Sequence, residues 1–553
     1  MKSRAEALKD IQNKSFDVCV IGGGATGSGC ALDSQLRGLS TALVEAGDFA
    51  SATSSASTKM VHGGVRYLEE AFRHLDPAEY KVVNRALDER IHMVKNAPFL
   101  AGAREFITPC YSRFDLAYYE TGLKLYDWIS GSASLAPSHF VSREEALSRL
   151  PNLNPQGLTG AVAYTDGQFD DARYNVTLVQ SLAETGGVAL NYARVASCEK
   201  GADGKLAAVI VQEQFGGQSF VVRARAFVNA TGPFADSIRA MANPAAKPRM
   251  RLSKGVHILL PADVLSSGDA MLIPKTEDGR VLFAIPWRGR VLVGTTEQEV
   301  AVGEELFLTR EEVEYLLRHL NRYLGEPVRA GQVVGGFAGA RPLLSAGDSR
   351  DTKKLARDHQ VELDSLSGLV SILGGKWTTY RAMAQDTIDV VRKSLGGNPT
   401  PCSTLNHPLA GSDGYSSDYW KVLVGDFSVP EPTARHLVEK YGTRAAQLLA
   451  LIEKNADLGE PLVKGLAPLR TEVAFAARFE MAMTIEDVLA RRIGLQFYGW
   501  SDAIAAAPAT ADILARELGW SEADRDDALG VYIEKIRDLQ RKAGLTVAPR
   551  AEG

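Results

Sequence analysis

Residues 58–68 read TKMVHGGVRYL. An imidazole (His62), two glycines (Gly63 and Gly64), a guanidinium (Arg66) and a phenol (Tyr67) fall within six positions, just after the run SATSSAS. Imidazole can take a proton near neutral pH, and a guanidinium forks onto an anion. Paired glycines let backbone approach a flat ring. The same residues also suit a solvated polar turn, and composition alone does not choose.

A second chemical signal lies upstream. FDVCVIGGGATGSGCA (16–31) runs an apolar strand into Gly22-x-Gly24-x-x-Gly27. A helical stretch stopping near Gly38 follows, then a second strand ending in Glu45. Gly22 would make the tight turn, Gly24 would admit a pyrophosphate and Gly27 would let helix pack on strand. Glu45 would accept from a ribose diol. The helix N-terminus offers N–H donors and a positive dipole end to phosphates. This is a dinucleotide site, and the fingerprint does not separate FAD from NAD. The hydroxyls of Thr53, Ser54, Ser55 and Thr58 suit a chain passing a phosphate and a ring, or a plain surface loop.

Later segments add to it. NATGP (229–233) ends a strand at Thr231-Gly232, which fits a second backbone approach to the nucleotide. SILGGKWTTYRAMAQDTIDVV (371–391) takes a strand through Gly375 and Lys376 into a long helix from about Thr378, with Thr378 and Thr379 as expected caps. Arg341 sits in an expected Gly-Ala-Arg-Pro turn, and Arg357 and His359 follow. With Lys376 and Arg66 these cations suit an anion. His257, in an apolar strand, is expected to be an ordinary sheet histidine.

These groups need a scaffold larger than one core. The chain has 553 residues, 45% apolar and 23% charged, with net charge −5, so two or three domains are expected and a general nucleic-acid binder is disfavoured. Five scattered cysteines without a C-x-x-C pair argue against a disulfide framework or a cysteine metal site. No run of 18 apolar residues occurs and the N-terminus lacks a signal-peptide core, so any membrane association is expected to be peripheral.

Taken in order, VIGGGATGSGCALDSQLRGLSTALVE, ATSSASTKMVHGGVRYL, NATGPFADSIR, KGVHILLP, IPWRGRVLVGTTE, GARPL and GGKWTTYRAMAQDTID resemble the FAD-dependent glycerol-3-phosphate dehydrogenases. The resemblance spans roughly residues 15–395, with spelling nearer the mitochondrial branch. It implies an α/β protein: a D-amino-acid-oxidase-like FAD-binding Rossmann domain (15–95, 155–245 and 335–400), a β-rich substrate cap (96–154 and 246–334) and an all-helical C-terminal domain (401–553). It also implies FAD as cofactor, no metal, and oxidation of sn-glycerol 3-phosphate to dihydroxyacetone phosphate. Electrons would pass to ubiquinone or menaquinone at the cytoplasmic face of the inner membrane of a bacterium, with oxidation by O2 as the alternative. No transit peptide is expected, and a homodimer is left open.

The roles implied are specific. His62 takes the hydroxyl proton; alternatively it contacts flavin or substrate without taking a proton, or carries a covalent flavin link. Arg341, Arg357 and Lys376, with Arg66 and Tyr67, supply donors to the substrate's phosphate; Arg341 and Lys376 count with His62 as catalytic, and Arg66, Tyr67 and Arg357 as substrate-binding. Gly22, Gly24, Gly27, Glu45, Thr53, Ser54, Ser55, Thr58, Gly63, Gly64, Thr231, Gly232, Gly375, Lys376 and Thr378 hold the cofactor. Ala338 stands where the family often has a serine. The aromatic-rich segment 111–130 is expected to be either an interfacial helix or a core helix of the cap.

Overall fold

The computed structural model describes residues 1–63, 77–345, 359–396, 398 and 400–545. Among these residues the chain forms two sheets and a terminal set of helices.

The first sheet carries the cofactor signature. Its order is Gln360–Leu363, Val370–Leu373, Ser219–Asn229, Ser15–Ile21, Thr41–Val44, Val188–Leu190, with a meander of Leu206–Glu213 and Ala193–Lys200 beside Ser219–Asn229. The central pairings are parallel. Parallel strands are covered on both faces, which is why Val18, Cys19, Val20 and Ile21 form an unbroken buried run. Helix Ala25–Leu36 follows the first strand and ends before Gly38, whose φ of +81° suits the glycine. Helix Tyr380–Ser394 packs on it at Gly29, where a Cβ would meet the Tyr380 ring at 2.9 Å and Ala384 at 3.3 Å.

The second sheet runs Gln298–Val300, Met250–Pro261, Arg290–Gly294, Leu282–Trp287, Ala270–Ile273, Ala101–Cys110, Gly160–Phe169, Met60–Val61, with Gly335–Leu344 pairing Met250–Pro261. It thus takes in 160–169 and 335–344, which fall in stretches expected for the cofactor domain. Arg341 lies inside strand Gly335–Leu344 rather than in a turn. Among the described residues that strand pairs only with Met250–Pro261, an edge position at which Pro342 is tolerated.

The C-terminal part is helical, from Tyr419–Phe427 to Glu522–Lys542. Thr484 and Asp487 cap each other: the Asp487 N–H donates to Thr484 Oγ1 (3.1 Å) and the Thr484 N–H to Asp487 Oδ2 (3.1 Å). A π-helical turn, Asp487–Arg492, comes next. That turn aims Arg491 and Arg492 at buried Asp48, at 2.6 and 2.8 Å. Arg173 forks onto Glu480 at 2.7 and 2.9 Å, and buried Lys440 donates to the carbonyls of Arg492 and Ile493. The Asp48 bonds join the helical domain to the loop just after Glu45. Among the described residues no helix is long and apolar enough to cross a membrane.

Candidate active site

A cavity of about 1520 Å³ runs between the sheets. At one end lie Gly22, Gly24, Glu45, Thr231 and Gly232; at the other lie His62, His257, Arg341 and Lys376. Ordinary small-ligand pockets measure roughly 300–1,000 Å³, so this one has room for an extended dinucleotide and a small substrate together.

The glycine turn is built from close backbone approaches. A Cβ on Gly22 would lie 2.6 Å from the Ala230 carbonyl oxygen, and one on Gly27 would overlap the Gly22 carbonyl oxygen. Gly22 has φ +108°, which only glycine adopts readily. Gly27 therefore sits behind the turn and supports it. The helix opening at Ala25 has no side-chain cap of its own, and Ser54 Oγ accepts from the Ala25 N–H at 2.9 Å. The Glu45 carboxylate accepts from the Gly23 N–H (2.6 Å) and the Gly47 N–H (2.8 Å). Burial raises its pKa while those N–H donors oppose the rise.

Three segments far apart in sequence meet around the middle. Thr53 Oγ1 donates to the Ala340 carbonyl (2.6 Å), the Trp377 indole N–H to the Ser54 carbonyl (2.9 Å), and the His62 N–H to Thr378 Oγ1 (3.4 Å). The run 53–62 is thus clamped between the Arg341 strand and the Gly375-Lys376 turn. Thr378 lines the cavity, and Thr379 takes the N-cap position of helix Tyr380–Ser394 after a 3-10 turn without a side-chain capping bond; its Oγ1 instead donates back to the Lys376 carbonyl.

The basic end is ordered. Arg341 Nη2 donates to Thr295 Oγ1 (3.0 Å) and Nη1 to the Thr296 carbonyl (3.4 Å). Gly255 makes room for this guanidinium: a Cβ there would stand 2.5 Å from Nη2. His257 is not an ordinary sheet residue. It lines the cavity, its Nε2 lies 3.0 Å from Thr58 Oγ1, and its Nδ1 has no partner among the described residues. A Cβ on Gly294 would overlap its ring. Burial, then Arg341 and Lys59, push its pKa well down, so it is neutral. His62 is lowered by burial, raised by Asp166, and lowered by Lys376 and Arg90. It is a neutral imidazole able to accept a proton.

Most of the residues singled out in the sequence come together here: Gly22, Gly24, Glu45, Thr53, Ser54, Thr58, His62, Thr231, Gly232, Arg341, Gly375, Lys376 and Thr378 line one cavity. Ser55 does not; it is buried, and its carbonyl takes the Lys59 ammonium at 2.7 Å. Gly63 faces away from the cavity, since a Cβ there would meet Leu87 and the Tyr126 hydroxyl, so it makes no room for a ring. Gly64, Arg66, Tyr67 and Arg357 lie outside the described residues. His359 is bonded to Asp386 through Nε2 at 2.8 Å.

The FAD dependent oxidoreductase family matches residues 17–381, and the C-terminal domain of alpha-glycerophosphate oxidase matches residues 402–525. The mitochondrial glycerol-3-phosphate dehydrogenase of Homo sapiens is 38% identical over 539 residues, 95% of this chain and 74% of its own length.

The chain belongs to the FAD-dependent glycerol-3-phosphate dehydrogenases.

The bovine (Bos taurus) enzyme of the family gives the same 38% over the same shares. A solved Bacillus halodurans glycerol-3-phosphate dehydrogenase complexed with FAD covers 100% of this chain and 99% of its own, at 28% identity and TM-score 0.79. The chain is thus an FAD-dependent oxidoreductase with a D-amino-acid-oxidase-like fold and a helical C-terminal domain. The residues present fit FAD. Gly22, Gly24 and the start of helix Ala25–Leu36, whose N-cap Gly24 brings no side chain, line the cavity where a pyrophosphate would lie, and Glu45 lines it for a ribose.

Proposed function

We propose that this chain oxidises sn-glycerol 3-phosphate to dihydroxyacetone phosphate and passes the electrons to a membrane quinone. The observation that carries it is the single cavity joining the Gly22–Glu45 end to an end lined by His62, Arg341 and Lys376. FAD, when bound, supplies the hydride acceptor. Arg341 and Lys376 bind the phosphate, a dianion suited to a guanidinium fork and an ammonium, with Arg66, Tyr67 and Arg357 as further expected donors. His62 takes the proton from the C2 hydroxyl, and the half-buried site keeps water from competing for that proton. Gly22, Gly24, Glu45, Thr53, Ser54, Thr58, Thr231, Gly232, Gly375 and Thr378 hold the cofactor from the walls they already line.

The mitochondrial names of the relatives support a quinone as acceptor. Helix Arg113–Ser130 supports a peripheral membrane contact: residues 117–125 supply much of one cavity wall, while Phe114 and Trp128 are 78% and 74% exposed. The match to an oxidase C-terminal domain favours O2 as a second reading. Turnover with a soluble quinone analogue, with peroxide measured in parallel, separates them. Quinone-dependent turnover with little peroxide supports the dehydrogenase; peroxide equal to product in air, unaffected by quinone, overturns it. A companion test is Arg341→Ala, which should raise KM for glycerol 3-phosphate far more than for glycerol; an equal rise contradicts phosphate binding.

A further inference from the structure

Asp166 belongs to none of the sequence motifs, yet it lines the same cavity as His62. Strands Met60–Val61 and Gly160–Phe169 pair antiparallel, with Met60 opposite Gln168 and Val61 opposite Gly167. Continuing that register sets His62 opposite Asp166, and both line the cavity. Directly opposed residues of an antiparallel pair are close enough to interact.

The Asp166 carboxylate is fully buried and held from three sides. Arg90 Nη1 donates to Oδ1 at 2.6 Å, the Gly167 N–H donates to Oδ1 at 3.1 Å, and the Tyr126 hydroxyl donates to Oδ2 at 3.2 Å. The same Tyr126 oxygen accepts from the Gly63 N–H at 3.1 Å. One phenol thus ties the backbone just after His62 to the carboxylate across from it. Arg90 is itself anchored by the Ala133 carbonyl at 2.6 Å. A buried ion pair is by itself a weak source of stability; what this one provides is a fixed negative charge in the cavity wall beside an imidazole.

We infer that Asp166 is a positioning residue for His62: held opposite it by the strand register, its carboxylate stabilises the imidazolium formed when His62 takes the substrate's hydroxyl proton. This rests on the reading of His62 as proton acceptor. In the step the substrate O–H bond breaks, its electron pair stays on oxygen, and an N–H bond forms on the imidazole. Asp166 exchanges no proton in this step, and its oxygens keep their bonds to Arg90, Gly167 and Tyr126. Among the described residues the charged groups acting on His62 are Asp166 from the strand, Lys376 from the 374–376 turn and Arg90 from helix Pro77–Asn96. Tyr126 and Tyr164 face Asp166, and burial, then that carboxylate, push both phenols well up, so they remain protonated. With two cations lowering His62, Asp166 is the group that keeps its basicity useful.

The test uses FAD-loaded protein labelled with 15N-histidine, the His62 signal being assigned by its loss in His62→Gln. In Asp166→Asn the His62 titration midpoint should fall by about one pH unit or more, since a neighbouring opposite charge is worth that much. The acid limb of the kcat/KM profile should move down with it. kcat should drop roughly 10-fold or more with little change in KM, the pattern of an interaction made in the transition state. An unmoved midpoint overturns the inference. Tyr126→Phe leaves the Arg90–Asp166 pair intact and guards against simple unfolding: it should lower kcat by roughly 3- to 10-fold, the worth of one hydrogen bond, and unchanged kcat overturns the inference. The midpoint reports the pairing whether or not His62 is the base. A shifted midpoint with full turnover in His62→Gln would keep the Asp166–His62 coupling but remove the proton-acceptor reading, and with it the catalytic part of the inference; an unmoved midpoint with lost turnover in His62→Gln would remove the coupling alone.

Discussion

Gly255→Ala isolates what the Arg341 guanidinium contributes. Gly255 sits in strand Met250–Pro261 opposite Gly339, without the positive φ that would strain another residue. The added methyl would stand 2.5 and 2.8 Å from the two Arg341 terminal nitrogens and 2.6 Å from Thr295 Oγ1. No backbone atom is among these nearest neighbours, so the guanidinium swings aside and gives up its 3.0 Å bond to Thr295. If it then loses one charge-assisted bond to the substrate phosphate, about 1.5–3 kcal/mol is forfeited. That corresponds to a KM for glycerol 3-phosphate raised roughly 10- to 150-fold. Folding should lose under about 1 kcal/mol, a few degrees in Tm at most. The assay is initial rates with a dye acceptor over both glycerol 3-phosphate and glycerol, beside a melting curve. A KM that does not move, or that rises equally for both alcohols, refutes the placement of Arg341 on the phosphate.

Other consequences can be checked with standard measurements. His62→Gln should cut turnover by about 100-fold or more while retaining FAD, and acid precipitation of the parent protein should leave the flavin in the supernatant; normal turnover or a yellow pellet would each remove one assigned role. Gly27→Ala pushes a Cβ into the Gly22 carbonyl, so the purified protein should be depleted of FAD, and full flavin content would contradict the packing. Asp48→Asn removes the carboxylate shared by Arg491 and Arg492, leaving them Asp487 and Glu480, and should cost roughly 3–5 kcal/mol in urea unfolding; a cost under about 1 kcal/mol would mean the network is not holding the helical domain. Against burial, Lys440 and Arg288 hold the Asp170 carboxyl down to about 2, and His436 and Lys440 do the same for Glu472. Folded values below the unfolded ones of about 4 mean this stability is complete above about pH 4 and is lost as pH falls through about 2. Unfolding free energy should therefore decline across that window, and a flat profile would contradict these pairings.

The parts of the site legible in the sequence are those whose chemistry is local. Gly22, Gly24, Gly27 and Glu45 are spaced by one strand, one turn and one helix, so their spacing alone places them. The meeting of His62, Arg341 and Lys376 could be expected only because the whole run of motifs resembles one family. The features that stayed hidden depend on pairing between distant segments. Asp166 matters because its strand lies beside Met60–Val61, and nothing in YTDGQF announces that neighbour. Gly255 and Gly294 look like ordinary strand glycines until Arg341 and His257 are seen in the space they leave. Asp48 and Arg492 are 444 residues apart. The threonines of WTTY have the residue type of caps, but the backbone takes a 3-10 turn there first, and His62 claims the Thr378 hydroxyl.

The most direct measurement is anaerobic: add glycerol 3-phosphate to the purified yellow protein and follow the flavin band. Bleaching in proportion to added glycerol 3-phosphate, with dihydroxyacetone phosphate formed one for one and no bleaching by glycerol at the same concentration, is the predicted result. A flavin band that stays oxidised with excess glycerol 3-phosphate would contradict the account.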